Sequence, residues 1–298
     1  MGNFQHTKPS AQPNRAKRWF YRLSGLAIAV IAVTVSACIP ENKALPSANR
    51  QPSILQQQIS PPVNQPLPPT RPAVPEVRWR LEKGNVWVAT GTPPPCPEPL
   101  VLAAPVDLSL VTAVLYPGQP RGGEFKPHGG FRFDQQTDSR MTVKVPFDAQ
   151  VVRASSIVLQ GETQYALEFI APCGIMYSFG HLLELSPKFQ ALVDNRPRPD
   201  PRSTFSTLAP PVAVKTGEPV ATAVGFTAGP NVFFDWGVYD LRGKNGVQLR
   251  PAWAAKYRRT FDEYAVCWIN MLSPEDAARV KALPGADSEY GSLSDYCR

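Results

Sequence analysis

The chain has 298 residues, 34 of them proline (about 11 %), five cysteines and a net charge of +7, against an average proline usage of about 5 %. With 43 % hydrophobic residues it has enough apolar side chains for a core, which excludes global disorder. The prolines exclude an all-helical bundle, since each interior proline costs a helix about 3 kcal/mol.

Residues 1–37 carry Lys8, Arg15, Lys17, Arg18 and Arg22 and no acid. An apolar run, Leu26 to Val35, follows, then the small residues Ser36-Ala37 and Cys38. A basic stretch, a short apolar stretch and a small-residue site define a secretory signal peptide, and the run is short of the ~20 residues of a spanning helix. Val35-Ser36-Ala37-Cys38 also resembles the bacterial lipobox, whose cysteine is lipidated. The expectation is a signal peptide over 1–37, lipidation at Cys38, and an exported protein anchored by lipid to the outer face of a bacterial membrane, in the periplasm or at the cell surface. An uncleaved anchor is the alternative. Ten prolines among residues 39–75, mixed with Gln, Asn and Ser, make 38–76 a disordered tether with an upper reach of about 115 Å. Beyond Cys38 there are 26 basic and 24 acidic residues, scattered, so nucleic acid is not an expected partner.

The folded part is expected over Val77–Arg298. Strands are predicted at Val77–Leu81 and Asn85–Ala89 around a Lys83-Gly84 turn, forming an N-terminal segment (77–114). Further short alternating or apolar runs follow at Thr142–Val145, Gln150–Val152, Tyr165–Ile170, Ile175–Phe179, Pro219–Val224 and Val232–Tyr239. Strands of this spacing, separated by Gly, Pro, Asn and Asp, predict a mainly β domain over 115–245. A C-terminal extension (246–298) carries the helix. Ser273 is its N-cap, Pro274 its first residue and Glu275-Asp276 its acidic first turn. A second helical stretch is expected within Ala252–Tyr264. With Cys38 assigned to lipid, Cys96, Cys173, Cys267 and Cys297 remain. In an exported chain they favour two disulfides, with three connectivities open. Cys267 and Cys297 bracket the C-terminal helix, which favours Cys267–Cys297 with Cys96–Cys173.

Two histidines remain beyond Cys38, His128 in Pro127-His128-Gly129-Gly130 and His181 in Phe179-Gly180-His181-Leu182. Val145-Pro146-Phe147-Asp148-Ala149-Gln150-Val151, Val214-Lys215-Thr216-Gly217-Glu218-Pro219-Val220 and Asn231-Val232-Phe233-Phe234-Asp235 complete a series of five segments. In order and type the series resembles the lysostaphin-type (LytM-like) zinc endopeptidases, which cut peptide cross-links in bacterial cell walls. The resemblance covers about residues 115–241. It implies an antiparallel β-sheet groove (a duplicated hybrid motif), here with extra N-terminal strands and a small C-terminal helical extension. It also implies zinc held by a His and an Asp of the first segment and the second His of the last. His128 keeps one ligand position, but Arg132 and Phe233 occupy the other two. His181 keeps the family's base position as a vestige, Asn231 replaces its partner histidine, and Asp235 stands in for a glutamate.

A catalytic zinc needs three protein donors and an open position, so no metal or cofactor is expected. The leading reading is a non-catalytic, peptidase-like envelope module that binds peptidoglycan or an envelope hydrolase. Its groove is lined by His128, Arg132, Asn231, Phe233 and Asp235, with Phe179, Phe233 and Trp236 as apolar walls. Arg132 would suit a ligand carboxylate. One alternative is an active zinc endopeptidase with a displaced ligand set that includes Asp134. Another is a structural or adhesion domain.

Overall fold

The computed structural model describes residues 77–84, 86–194, 205–227, 231–249 and 260–297. The signal peptide, Cys38, the tether and most of the Ala252–Tyr264 stretch lie outside them. Among the described residues, no helix is long and apolar enough to cross a membrane.

The fold is mainly β and antiparallel. A hairpin of β1 (Arg78–Glu82) and β2 (Val86–Thr90) forms a separate two-stranded sheet. A second small hairpin pairs β4 (Gln119–Arg121) with β5 (Glu124–Lys126). The main sheet contains β3 (Ala113–Leu115), β6 (Gly129–Arg132), β7 (Arg140–Lys144), β8 (Ala149–Leu159), β9 (Glu162–Ile170), β10 (Ile175–Leu185), β11 (Ser206–Val214), β12 (Pro219–Val224) and β13 (Phe233–Asp240). Its order is β11-β8-β9-β10-β13-β6-β3, with β12 pairing both β10 and β7. All eight expected strand regions form strands, several of them longer than the apolar run that marked them.

Alternation along the strands gives the sheet two faces. One carries Phe131, Phe169, Tyr177, Phe179, Phe234 and Trp236, all fully buried in the main core. Residues well outside the sheet join that core. Leu102 bridges to Leu272, and Trp268 packs on Trp236 with ring centroids 4.4 Å apart. Two helices flank the sheet, α1 (Pro187–Asp194) and α2 (Pro274–Lys281). In α2 the Ser273 side chain accepts from the Asp276 amide and Pro274 opens the helix, as the sequence signature requires.

Disulfides join Cys96 to Cys173 and Cys267 to Cys297, the favoured connectivity and one compatible with an exported protein. The first ties the segment after β2 to the β9–β10 turn. There Trp79 also docks, its indole N–H donating to the Pro172 carbonyl at 3.0 Å. The second returns the C-terminal tail to the core.

Candidate functional site

The other face of the main sheet is polar at its centre, and its geometry begins with two glycines. Gly130 pairs with Asp235 across the β6–β13 ladder. A Cβ on Gly130 would lie 2.1 Å from the Phe234 carbonyl oxygen, and one on Gly129 2.2 Å from that of Leu115. Only hydrogen at these α-carbons lets β6 sit this close to its neighbours. The close fit seats His128, immediately before β6, beside Asp235. Arg121 fixes the backbone from behind, donating to the carbonyls of Tyr116 (2.6 Å) and His128 (2.9 Å).

His181 arrives from β10 by a different device. Up to Gly180 this strand pairs with β13; from Leu182 it pairs with β12. The β9 pairing also shifts register between Phe179 and Leu182. His181 sits at this change of partner with φ +60°, a left-handed conformation uncommon for a non-glycine residue. The bulge turns its ring out of the strict alternation and toward β13. Its backbone is secured by the Gly225 amide, which donates to the His181 carbonyl at 2.8 Å.

The two rings converge on one carboxylate. His128 Nε2 is 3.2 Å and His181 Nε2 3.4 Å from Asp235 Oδ2, and the three side chains are 22–25 % exposed. Burial opposes the charge on Asp235. His128, by charge and hydrogen bond, and His181 outweigh it and hold the carboxyl well below the usual carboxylate range. Gln164 of β9 orients the His181 ring. Its amide donates to the Gly225 carbonyl at 2.7 Å, which turns Oε1 to His181 Nδ1, also at 2.7 Å. In this contact Nδ1 is the donor and Oε1 the acceptor. Phe233 covers the other side of the His181 ring, with centroids 4.5 Å apart.

From this cluster a cavity of about 420 Å³ runs over β10 and β9 to Glu168, Tyr239, Phe261 and Asp262. Glu168 is 4 % exposed, 3.2 Å from Arg153 Nη1. Burial raises its carboxyl to about 7 despite that cation. Burial also pushes the Tyr239 phenol up. Phe261 lines the far end, and the Trp87 ring of the first hairpin stacks on it with centroids 6.1 Å apart.

Of the expected groove residues, His128, His181 and Asp235 come together and line this cavity. Arg132 does not line it. Its Nε and Nη2 donate to Asp134 Oδ1 at 2.9 and 2.6 Å, because residues two apart on a strand share a face. The guanidinium expected to meet a ligand carboxylate is thus occupied by a protein carboxylate. Asp134 also accepts from the Thr112 hydroxyl at 2.9 Å, so it is engaged away from both histidines. Asn231 pairs through its backbone with Phe226 and does not line the cavity. Phe233 is a wall of the His181 ring, whereas Trp236, expected as another wall, lies on the opposite face in the core. Phe179 is 1 % exposed, a core side chain that only touches the cavity floor.

The family resemblance implies a three-donor zinc site in this groove. The histidine nitrogens facing the cavity are turned onto Asp235, and Arg132 supplies no lone pair. Among the described residues no group of three His, Cys, Asp or Glu side chains is arranged to hold a metal. The residues present do not fit a three-donor zinc site.

Sequence reasoning missed Gln164, Glu168, Tyr239 and Asp262. Gln164 and Glu168 had a legible signal, as polar residues on alternate positions of a strand whose other face carries Leu167 and Phe169. Asp262 had none, since tertiary packing alone brings it to the sheet. The chain matches no protein-family model and no curated protein.

Proposed function

We propose that this chain is a non-catalytic, peptidase-like module of the bacterial cell envelope, and that its groove binds peptidoglycan. The observation that carries the reading is the engagement of both cavity-facing histidine nitrogens by Asp235 Oδ2, with Arg132 committed to Asp134. A groove with its polar groups paired in this way presents a fixed pattern of donors and acceptors to a ligand. Among the described residues no three-donor set is arranged to hold a metal that would activate water. The leader, the lipobox-like Cys38 and the proline-rich segment support placement outside the cytoplasm at a distance from the membrane.

The test is co-sedimentation of the full chain with purified peptidoglycan sacculi. Wild type is expected in the pellet, the bound fraction falling at least fivefold for His128→Ala and staying unchanged for Lys215→Ala, an exposed site. Failure of wild type to sediment would overturn the peptidoglycan reading and leave an envelope protein as the partner to seek. Zinc-dependent release of soluble fragments would overturn the non-catalytic one.

A further inference from the structure

A second cavity, of about 330 Å³, opens between the β1–β2 hairpin and the main sheet. Trp79 of β1, Val152 of β8, Ile170 at the end of β9, Pro172 of the following turn, and Leu208 and Pro211 of β11 give it apolar walls. The Trp79 ring is fixed in place. Besides the bond from its indole N–H to the Pro172 carbonyl, it lies over Gly174, where a Cβ would come within 2.6 Å of it. Trp79, Val152 and Pro211 are only partly buried, so an aromatic face and aliphatic surface stay open to an occupant.

The described residues begin at Val77, which is itself part of this wall. The segment that leads into it repeats proline at every third position, Pro66, Pro69, Pro72 and Pro75, an interval absent among the other prolines of residues 39–75. Polyproline II has three residues per turn and rises about 3.1 Å per residue, so these rings fall on one face, about 9 Å apart. Such a ridge loses little entropy on docking and fits grooves lined by aromatic and apolar side chains. Proline also brings no N–H, so it leaves no donor unsatisfied against an apolar wall. Attachment at Val77 makes the contact intramolecular, at an effective concentration on the order of millimolar for a short link.

We propose that this cleft holds the chain's own segment Pro69–Pro75, its proline face against Trp79 and Pro211. The docked segment takes about 20 Å from the upper reach of the tether. It also joins the hairpin to β8 and β11, so a pull through the tether is borne by the main sheet. The contact is independent of what the groove binds.

The test places the photo-crosslinking residue p-benzoylphenylalanine at Ala73 of the full chain, with adducts mapped by mass spectrometry. An adduct within one chain to Trp79, Val152 or residues 207–211 is expected. Adducts spread over other surfaces, or joining two copies, would overturn the proposal. In a second arm, a fluorescent peptide of residues 64–76 is titrated into the full-length variant Pro69→Ser/Pro72→Ser/Pro75→Ser, which has lost the ridge. Saturable binding is expected, at least tenfold tighter than to wild type or to the control Pro46→Ser/Pro52→Ser/Pro61→Ser, whose clefts are already filled. Equal binding to all three chains, or binding to none, would overturn it.

Discussion

Replacing Glu168 by glutamine removes a carboxylate that burial has raised from 4.5 to about 7. Because the folded-state value lies above the unfolded one, the folded chain holds an extra proton between about pH 4.5 and 7. Stability therefore falls as pH rises through that window and levels off above it. A rise of this size corresponds to about 3 kcal/mol against the ionised form. Arg153 is not stranded by the change, since its side chain is 34 % exposed and keeps water. Glu168→Gln is thus expected to be more stable than wild type by about 3 kcal/mol at pH 8, equivalent to roughly 6–12 °C in Tm for a domain of this size. At pH 4.5 the two should agree within about 0.5 kcal/mol, where wild-type Glu168 is itself largely neutral. Urea unfolding at both pH values is the assay. Equal or lower stability of Glu168→Gln at pH 8, with parallel pH curves, would refute the assignment of a net-unfavourable buried charge.

Three further outcomes follow from the geometry. Gly130→Ala would place a Cβ 2.1 Å from a backbone carbonyl that cannot rotate away; a loss of about 3 kcal/mol or more in urea unfolding is expected, whereas Gly161→Ala, with φ +84° but open space, should lose only about 1 kcal/mol. Gln164→Leu leaves the Gly225 carbonyl and His181 Nδ1 without their partner and should cost about 1–3 kcal/mol; 15N chemical shifts of the His181 ring would report loss of the hydrogen bond at Nδ1. Cys267→Ser/Cys297→Ser opens a loop of 30 residues, and chain entropy puts the loss at about 3–4 kcal/mol by denaturant unfolding.

The strands were legible where alternation is local, as in β9, β10 and β13, and the α2 cap was legible because Ser-Pro followed by two acids has one physical reading. Helix α1 begins with the same Ser186-Pro187 pair but lacks acids in its first turn, and was not expected. Strand β11 was hidden by Pro210-Pro211. The sheet tolerates them because β11 is the edge strand and its ladder shifts register there, between Thr207 and Val212. For the site, the sequence marked His128 and His181 by their neighbours but not what they touch. Asp235 meets them only through the register of β13 against β6 and the partner change in β10. Both are long-range pairings that no local pattern encodes. The far end of the cavity depends on Phe261 and Asp262 folding back from the C-terminal segment, which local sequence does not signal either.

The central claim is that the groove binds its ligand through paired side chains and without a metal. Sedimentation with sacculi, run side by side in excess EDTA and in added zinc, tests it most directly. The account predicts the same bound fraction in both and intact sacculi throughout. Binding abolished by EDTA and restored by zinc, or sacculi cleaved only when zinc is present, would contradict it.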